Sequence, residues 1–578
     1  MVMYEFFLTS SLEKVFPNVK PSQLSSDTVL SAWRSTRAAV QLVYTTDSTS
    51  PGMPVQAFQV SVAGGPCPAY LRKVELVPSD YPCYETSDSN YITKKPGLFP
   101  DLLAPVTDAY ITPIPHQYRS LWISWNIPED IIPGDYEITI TACAQEDMCL
   151  PNGVVLHNAE ASKQVYVSSF TLRVAKALLP AQKLLHTEWF HADCLASYYG
   201  VAPLSDEHWR IIERFIHAAG REHGINMLLT PVFTPPLDTA VGGERLTVQL
   251  VGISCVKGKY TFDFTQLARW AKLCKQNGID YLEIAHLFTQ WGAHATPKIM
   301  ANVDGVYKRI FGWDVPADSP DYREFLEAFL PALQAEIALL GYDKEHVYYH
   351  ISDEPSEDHL SSYQAAKAQT ADLLEGCQVI DALSNFAFYS EGLVKQPIPA
   401  NDHIQPFIDA KVPDLWVYYC CVQSTDVPNR FFAMPSARNR IMGMLMYLYN
   451  IKGFLHWGYN FYNSKYSLYP VDPYRVTHAG YAFPSGDPFL VYPGADGTPL
   501  SSIRAEVQDE ALYDLRALCH LESLAGREFV ERLIYEDTNL KLITFKDYPH
   551  NAEYLLALRE KVAAAIDERE NSCKHTAD

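Results

Sequence analysis

A chain of 578 residues carrying a formal charge of −22 is longer than a single hydrophobic core usually grows, roughly 250 to 300 residues, so two or more domains are expected. With 48% hydrophobic and 20% charged residues its composition is that of an ordinary soluble protein, and the acidic balance argues against nucleic acid or an anionic membrane as the main partner. The N-terminus lacks a basic start followed by a long apolar run, and the 12 cysteines show no CxxC spacing, so cytoplasmic thiols and no metal or other cofactor are expected.

Residues 1–178 contain short alternating runs such as Ala57 to Val62 and Tyr136 to Thr141, separated by Pro- and Gly-rich turns, the pattern of a β-sandwich. Gln164 to Val174 reads as a long closing strand and Ala175 to Ala181 as a linker. Residues 179–578 change to strands alternating with helices of ten or more residues, which predicts an α/β domain built as a (β/α)8 barrel with C-terminal helices. The eight expected strands are Leu184–Phe190, Met227–Thr230, Tyr281–Ile284, Val347–Ile351, Val379–Ala382, Leu415–Tyr419, Gly453–Trp457 and Phe489–Tyr492. A helix is expected to open at Ser205 and end at Gly220 or Gly224. Another runs from Ser319 to Gly341, with a kink or break at Pro331. Arg504–Leu524 and Ala552–Arg569 are helical by periodicity.

Catalytic groups of parallel barrels come from the carboxyl ends of strands, and the fourth expected strand ends in Asp353-Glu354-Pro355. Two adjacent, partly buried carboxylates do not ionise together easily, so one is expected to keep its proton as a general acid while the other is charged. That division suits glycosidic bond cleavage, although the same residues could cap a following helix. The other strand ends, His186–Asp193, Leu229–Thr234, His286–Trp291, Asn385–Tyr389 and His456–Asn463, mix aromatic rings with hydrogen-bonding groups, as sugar pockets require. Candidate sugar-binding residues are His191, Asp193, Thr230, His286, Trp291, His350, Tyr389, Tyr418, Trp457, Tyr459 and Asn460. The histidines could equally be satisfied core imidazoles.

The order of these segments resembles glycoside hydrolase family 123. The likeness rests on Asp353-Glu354-Pro355, on Gly453 to Asn460 (GFLHWGYN), on Gly486 to Gly494 (GDPFLVYPG) and on Ser501 to Glu506 (SSIRAE). It spans roughly residues 184 to 524 and matches the domain of unknown function 4091 that contains the family's catalytic barrel. Gln508 to Asp514 depart from the family's usual run there and are read as structural. The resemblance implies an exo-acting β-N-acetylgalactosaminidase that retains configuration by substrate assistance, its substrate a β-linked amino sugar glycoside. The 2-acetamido oxygen would attack the anomeric carbon, Asp353 would orient the acetamido N–H, and Glu354 would protonate the leaving oxygen and then activate water. Two alternatives stay open at this point. One is a glycosidase for another β-linked sugar, such as a galactoside or an N-acetylglucosaminide, with Asp193 or Glu283 as nucleophile or base; the other is a non-catalytic carbohydrate-binding protein. The sequence leaves the oligomeric state open.

Overall fold

The computed structural model describes residues 3–47, 56–106, 108–149, 155–157 and 164–575. Its N-terminal part is built from two five-stranded sheets. One runs in the order Tyr4–Ser10, Arg37–Thr46, Arg119–Asn126, Tyr70–Ser79, Gly97–Pro105; the other runs Val29–Arg34, Val165–Leu178, Gly134–Ala144, Phe58–Ala63, Tyr110–Ile111. Alternation explains the pairing: Phe58 and Val60 point inward while Gln59 and Ser61 face solvent, and the inward residues of both sheets, among them Val40, Leu121, Trp125, Ile138 and Phe170, share one core. The closing strand extends beyond Val174 to Leu178 because Val174, Ala175 and Ala177 are buried, so the connection to the next unit is shorter than the linker expected from sequence.

Eight parallel strands then form a nearly closed barrel. In chain order they are Leu185–Glu188, Met227–Thr230, Tyr281–Ile284, Val347–Tyr349, Gln378–Ala382, Gln396–Ile398, Trp416–Tyr418 and Gly453–His456. The sixth and seventh meet only at an Ala400–Tyr418 bridge, where Tyr418 N–H donates to the Pro399 carbonyl at 3.0 Å. Two sequence expectations are corrected here. The sixth strand, Gln396-Pro397-Ile398, was missed because a three-residue run with a central Pro lacks a strand signature. Phe489–Tyr492 is not a barrel strand: Phe489 bridges Asn460, and Tyr492–Pro493 pair with Pro499–Leu500 in a small hairpin. Its apolar residues are buried against loops and the C-terminal helix, a role that hydrophobicity alone does not distinguish from a strand.

Helix ends follow local chemistry. Ser205 accepts from His208 N–H and opens Asp206–His217, which continues through a wider turn at Ala218–Glu222 toward Gly224 at φ 61°. Pro320–Leu339 is one helix that runs through Pro331, so of the expected kink or break the break does not occur; Pro331 sits on the exposed side, where water can satisfy the carbonyl it leaves unbonded. A separate four-stranded sheet (Gly252–Val256, Lys259–Asp263, Ile299–Val303, Val306–Phe311) is inserted among the second, third and fourth barrel strands. No helix among the described residues is long and apolar enough to cross a membrane.

The sheets are fastened to the barrel by buried polar links. Arg504, at the start of helix Ile503–Ala525, makes a two-pronged ion pair with Asp101 of the first sheet (both 2.9 Å) and also donates to the Gly486 and Phe489 carbonyls (2.6 Å each). Removing one member of a fully buried pair strands the other charge. Arg504→Met and Asp101→Ala should therefore each cost about 3–5 kcal/mol in urea unfolding, and the double variant less than the sum; additive losses would refute the coupling.

Candidate active site

Consecutive residues of an extended strand face opposite ways, yet Asp353 and Glu354 line the same pocket. The backbone explains this. After the fourth strand, Glu354 adopts a left-handed conformation (φ 43°), which breaks the alternation. The strained turn is held on both sides: Glu354 N–H donates to the Ala382 carbonyl (3.0 Å), and the Asp353 carbonyl accepts from Trp291 N–H (2.9 Å). Neither carboxylate caps a helix; Ser356 opens the following short helix, its N–H bound to His359 Nδ1 at 3.1 Å.

The two acids differ in their partners. Tyr418 O–H, from the seventh strand, donates to Glu354 Oε1 at 2.7 Å, with Cys420 Sγ 3.9 Å from the same oxygen. Among the described residues, no hydrogen-bond donor reaches the Asp353 carboxylate. Burial raises the affinity of both for protons. Repulsion by Glu354 raises Asp353 further, to well above its ordinary value, while the Tyr418 bond opposes the rise at Glu354. The pair therefore holds a proton above the usual carboxylate range.

The pocket, about 630 Å³ counted to its open mouth, is walled by Trp189, Trp291, Trp457 and Phe483, with His191, Asp238, Gln290, Tyr418, Cys420 and Cys421 between them. Its size and mixed lining suit a small polar ring compound with apolar faces. Trp457 is oriented by its Nε1–H bond to Asp487 (3.0 Å). Asp238 accepts from Tyr466 N–H (2.9 Å), and burial lifts its carboxyl to about 6.

Of the residues expected from sequence, Asp353, Glu354, His191, Trp291, Tyr418 and Trp457 line this pocket. The others do not, each for a visible reason. Asp193 is buried in a two-pronged pair with Arg245 (2.7 and 2.8 Å), and the same guanidinium donates to His191 Nδ1 (3.0 Å), leaving His191 Nε2–H for the Trp457 carbonyl. Burial and Arg245 push the His191 imidazole down to about 3, so it is neutral. Thr230 is buried with its hydroxyl on the Leu228 carbonyl, and Tyr459 donates to the Phe215 carbonyl behind the barrel wall. Asn460 clamps the backbone of His191 through both amide atoms. Tyr389 packs on Phe386 and Phe407, away from the pocket. His286 stacks on His350 (4.2 Å) in the barrel interior.

His350 is the centre of a buried relay across the strand ends. Its Nε2 lies 2.6 Å from Glu283 and its Nδ1 3.3 Å from Asp381. Asp381 in turn accepts from the N–H groups of Ile351 and Ser352 and from Tyr363 O–H, and so fixes the backbone just before Asp353. Glu283 is occupied by Trp189 Nε1–H (2.7 Å), by Thr187 and by His350, which removes it, like Asp193, as a free nucleophile or base. Beneath the pocket Arg430 pairs with Glu188 (2.6 and 2.8 Å) and donates to His456 Nδ1 (2.8 Å) and Gln508 (2.6 Å). Burial would raise the Glu188 carboxyl, but Arg430 holds it below the usual carboxylate range. Gln508 to Asp514 are thus structural: Asp509 pairs with His223, and Glu510 and Asp514 pair with Arg440.

Sequence reading missed Asp238, Gln290, Phe483 and the two cysteines. Gln290 lay inside a segment already singled out, and Asp238 only four residues beyond another; Phe483 arrives from a loop distant in sequence and carries no local signal.

Comparison with known proteins places the chain in a family. The family model described as "Glycoside hydrolase 123, catalytic domain" matches residues 189–521, which makes the chain a glycosidase by class. It belongs to glycoside hydrolase family 123. A family 123 glycoside hydrolase from Clostridium perfringens, solved for the details of glycolipid glycan hydrolysis, superposes with a TM-score of 0.70 at 15% identity, covering 99% of this chain and 98% of that one. An endo-1,4-β-D-xylanase 10B from Clostridium thermocellum (TM-score 0.29, 10% identity, 88% and 94% covered) and a β-glucuronidase from Ruminococcus gnavus (TM-score 0.31, 10% identity, 82% and 66% covered) are far less alike. No curated protein sequence matches the chain.

The His350 relay gives a pH prediction. Burial would lower this imidazole, but its bonds to Asp381 and Glu283 raise it to about 9. A histidine raised above its unfolded value near 6.5 contributes stability that is complete below pH about 6.5 and is lost as pH climbs through about 9. The urea midpoint should fall across that window, and His350→Gln should flatten the fall. An equal slope in the variant would show that His350 is not the titrating group.

Proposed function

We propose that the protein is a retaining exo-β-N-acetylgalactosaminidase using substrate-assisted catalysis. The carrying observation is the asymmetry between two consecutive carboxylates in one pocket: Glu354 is held by Tyr418, whereas Asp353 has no donor among the described residues and is available for a donor on the substrate. An acetamido N–H is such a donor. Engaged by it, Asp353 gains from carrying the negative charge, and the proton the pair shares passes to Glu354. Glu354 then gives that proton to the glycosidic oxygen as the acetamido oxygen bonds to the anomeric carbon. The C1–O bond breaks, and the leaving group departs with its oxygen protonated. Water, deprotonated by Glu354, attacks the same carbon from the vacated face as the bond from C1 to the acetamido oxygen breaks and the acetamido group is restored, so two inversions give net retention. The tryptophans offer apolar surfaces to the sugar ring, and neutral His191 fixes the Trp457 backbone rather than exchanging protons.

A nucleophile from the protein finds less support. Asp193 and Glu283 are both buried and engaged, and Asp238, the remaining carboxylate of the pocket lining, favours its protonated form near pH 6 and below.

Glu354→Gln should lower turnover of glycosides with poor leaving groups by about 10²–10⁴, with little loss for activated aryl glycosides. Asp353→Asn should impair acetamido substrates whatever the leaving group. NMR of the first product should show the β-anomer, and a thiazoline mimic of the cyclic intermediate should inhibit. An inverted product, or full activity of Asp353→Asn, would sink the mechanism.

Tyr418 supplies a finer test. Its hydroxyl stabilises the Glu354 anion, so Tyr418→Phe should raise the pKa of the acid and move the alkaline limb of kcat/KM to higher pH. A shift toward lower pH would contradict the assigned polarity.

A further inference from the structure

The end of the barrel opposite the catalytic pocket carries a wide groove, about 1910 Å³ counted to its open mouth. It is lined by the segments that lead into the first, seventh and eighth strands (residues 180–184, 407–415 and 448–452) and by helix Ile503–Ala525. Four of its lining residues are the cations Lys183, Lys411, Lys452 and Arg516, against a single carboxylate, Asp414. In a chain with 68 acidic and 46 basic side chains, such a local reversal of sign stands out from the rest of the surface.

These charges are left open. Elsewhere buried arginines are matched to carboxylates, as Arg430 is to Glu188 and Arg504 to Asp101. Arg516 instead spends Nε and Nη2 on the carbonyls of Pro180 (2.8 Å) and Leu179 (3.1 Å), and burial without a carboxylate to offset it pulls the guanidinium below its ordinary pKa. Its Nη1 and the ammonium groups of Lys183, Lys411 and Lys452 make no hydrogen bond or ion pair among the described residues. His520, the remaining basic group of the lining, is taken up by Glu570 (3.0 Å). Lys411 and Asn450 follow the helices Gln405–Asp409 and Met442–Leu448 in the left-handed region (φ 52° and 51°), and Asp414 shares that conformation (φ 48°). Glycine meets this geometry at least cost, so three polar side chains stand at the groove in spite of their backbone. Val412, Leu415, Ile451 and Leu515, all buried, give it an apolar floor.

We propose that this groove is a binding site for a phosphorylated ring compound, a sugar phosphate or nucleoside phosphate, whose phosphate sits among Lys183, Lys411, Lys452 and Arg516. A phosphate monoester gathers roughly −1.5 to −2 charges and three acceptor oxygens on one centre, so cations reaching in from four separate segments can share it. A carboxylate offers one charge and two oxygens and would leave part of the cluster unmatched. The lysines supply charge from adjustable directions, and the open Arg516 N–H groups supply a directional bond. The ring lies over the apolar floor, with Asp414 and Asn450 in the same lining to meet its hydroxyls. The groove is at the other end of the barrel from Asp353 and Glu354, so its occupant is independent of the glycoside that is cleaved.

The test is calorimetric titration of the full chain, at constant ionic strength, with glucose 6-phosphate and adenosine monophosphate, and with glucose, adenosine and inorganic phosphate as controls. At least one ester should bind with a Kd of about 1 mM or tighter, more tightly than its unphosphorylated parent and than inorganic phosphate. The double variant Lys411→Ala/Lys452→Ala, which alters two exposed side chains, should weaken that binding tenfold or more. Cys519 gives a local readout that needs no variant, because its exposed thiol lines the same groove. The ester should slow its alkylation by iodoacetamide, followed by peptide mass spectrometry, and leave the other reacting thiols unaffected. Absence of binding by both esters, unchanged affinity in the double variant, or unprotected Cys519 at saturating ester would each overturn the site. Inorganic phosphate binding as tightly as both esters would reject the ring, and a poly-glutamate peptide binding more tightly than either would reject a small-molecule site in favour of a surface for acidic chains.

Discussion

The pair between Arg430 and Glu188 is the constraint on which the catalytic end of the barrel depends. Glu188 ends the first strand, and the guanidinium that neutralises it also reaches His456 at the end of the eighth strand, the Gly458 carbonyl beyond it, and Gln508 on the long C-terminal helix. A lone carboxylate there would be too costly to bury, so the four segments are held together by the need to satisfy one another. The residues that follow Glu188 and His456 in sequence are Trp189 and Trp457, two walls of the pocket. Their positions are therefore set from below by charge rather than from above by contact with ligand.

A second network works across the neighbouring strands. His350 is flanked by Glu283 and Asp381, and Asp381 also takes up the N–H groups of Ile351 and Ser352. The chain thus reaches Asp353 already fixed and can absorb the left-handed turn at Glu354 without that strain relaxing elsewhere. Several polar residues that look like ligands in the sequence build the site without facing its contents: His350 centres this network and His286 stacks on it, Asp193 pairs with Arg245, Asn460 clamps the His191 backbone, and Tyr459 donates to the Phe215 carbonyl.

This separation explains what could be read from sequence. Strand periodicity and the rule that chemistry gathers at strand ends were enough to locate seven of the eight barrel strands and the Asp353-Glu354 pair. The sixth strand escaped because Pro397 erases its signature, and Phe489–Tyr492 was mistaken for a strand because a buried loop and a buried strand share the same apolar composition. Which strand-end side chains face the pocket depends on register and backbone hand, and neither leaves a trace in residue type. The positive φ at Glu354, Trp291 and Asp238, three of the pocket's lining residues, is the plainest case: none is glycine, so nothing in the sequence announces the turn.

The buried links between the sheets and the barrel bear on modularity. Asp101 meets Arg504, Asp88 meets Arg438, Lys14 donates to the Phe431 and Phe432 carbonyls, and Ile92 N–H donates to the Ala433 carbonyl. Tyr84 O–H approaches the Ala482 carbonyl, next to Phe483 of the pocket wall. The barrel is accordingly not a cassette that could be transplanted without its N-terminal sheets. A recombination breakpoint near residue 178 would leave several charged and amide groups facing an unrelated surface, so the two units are expected to be inherited together and to diverge in step along their shared seam.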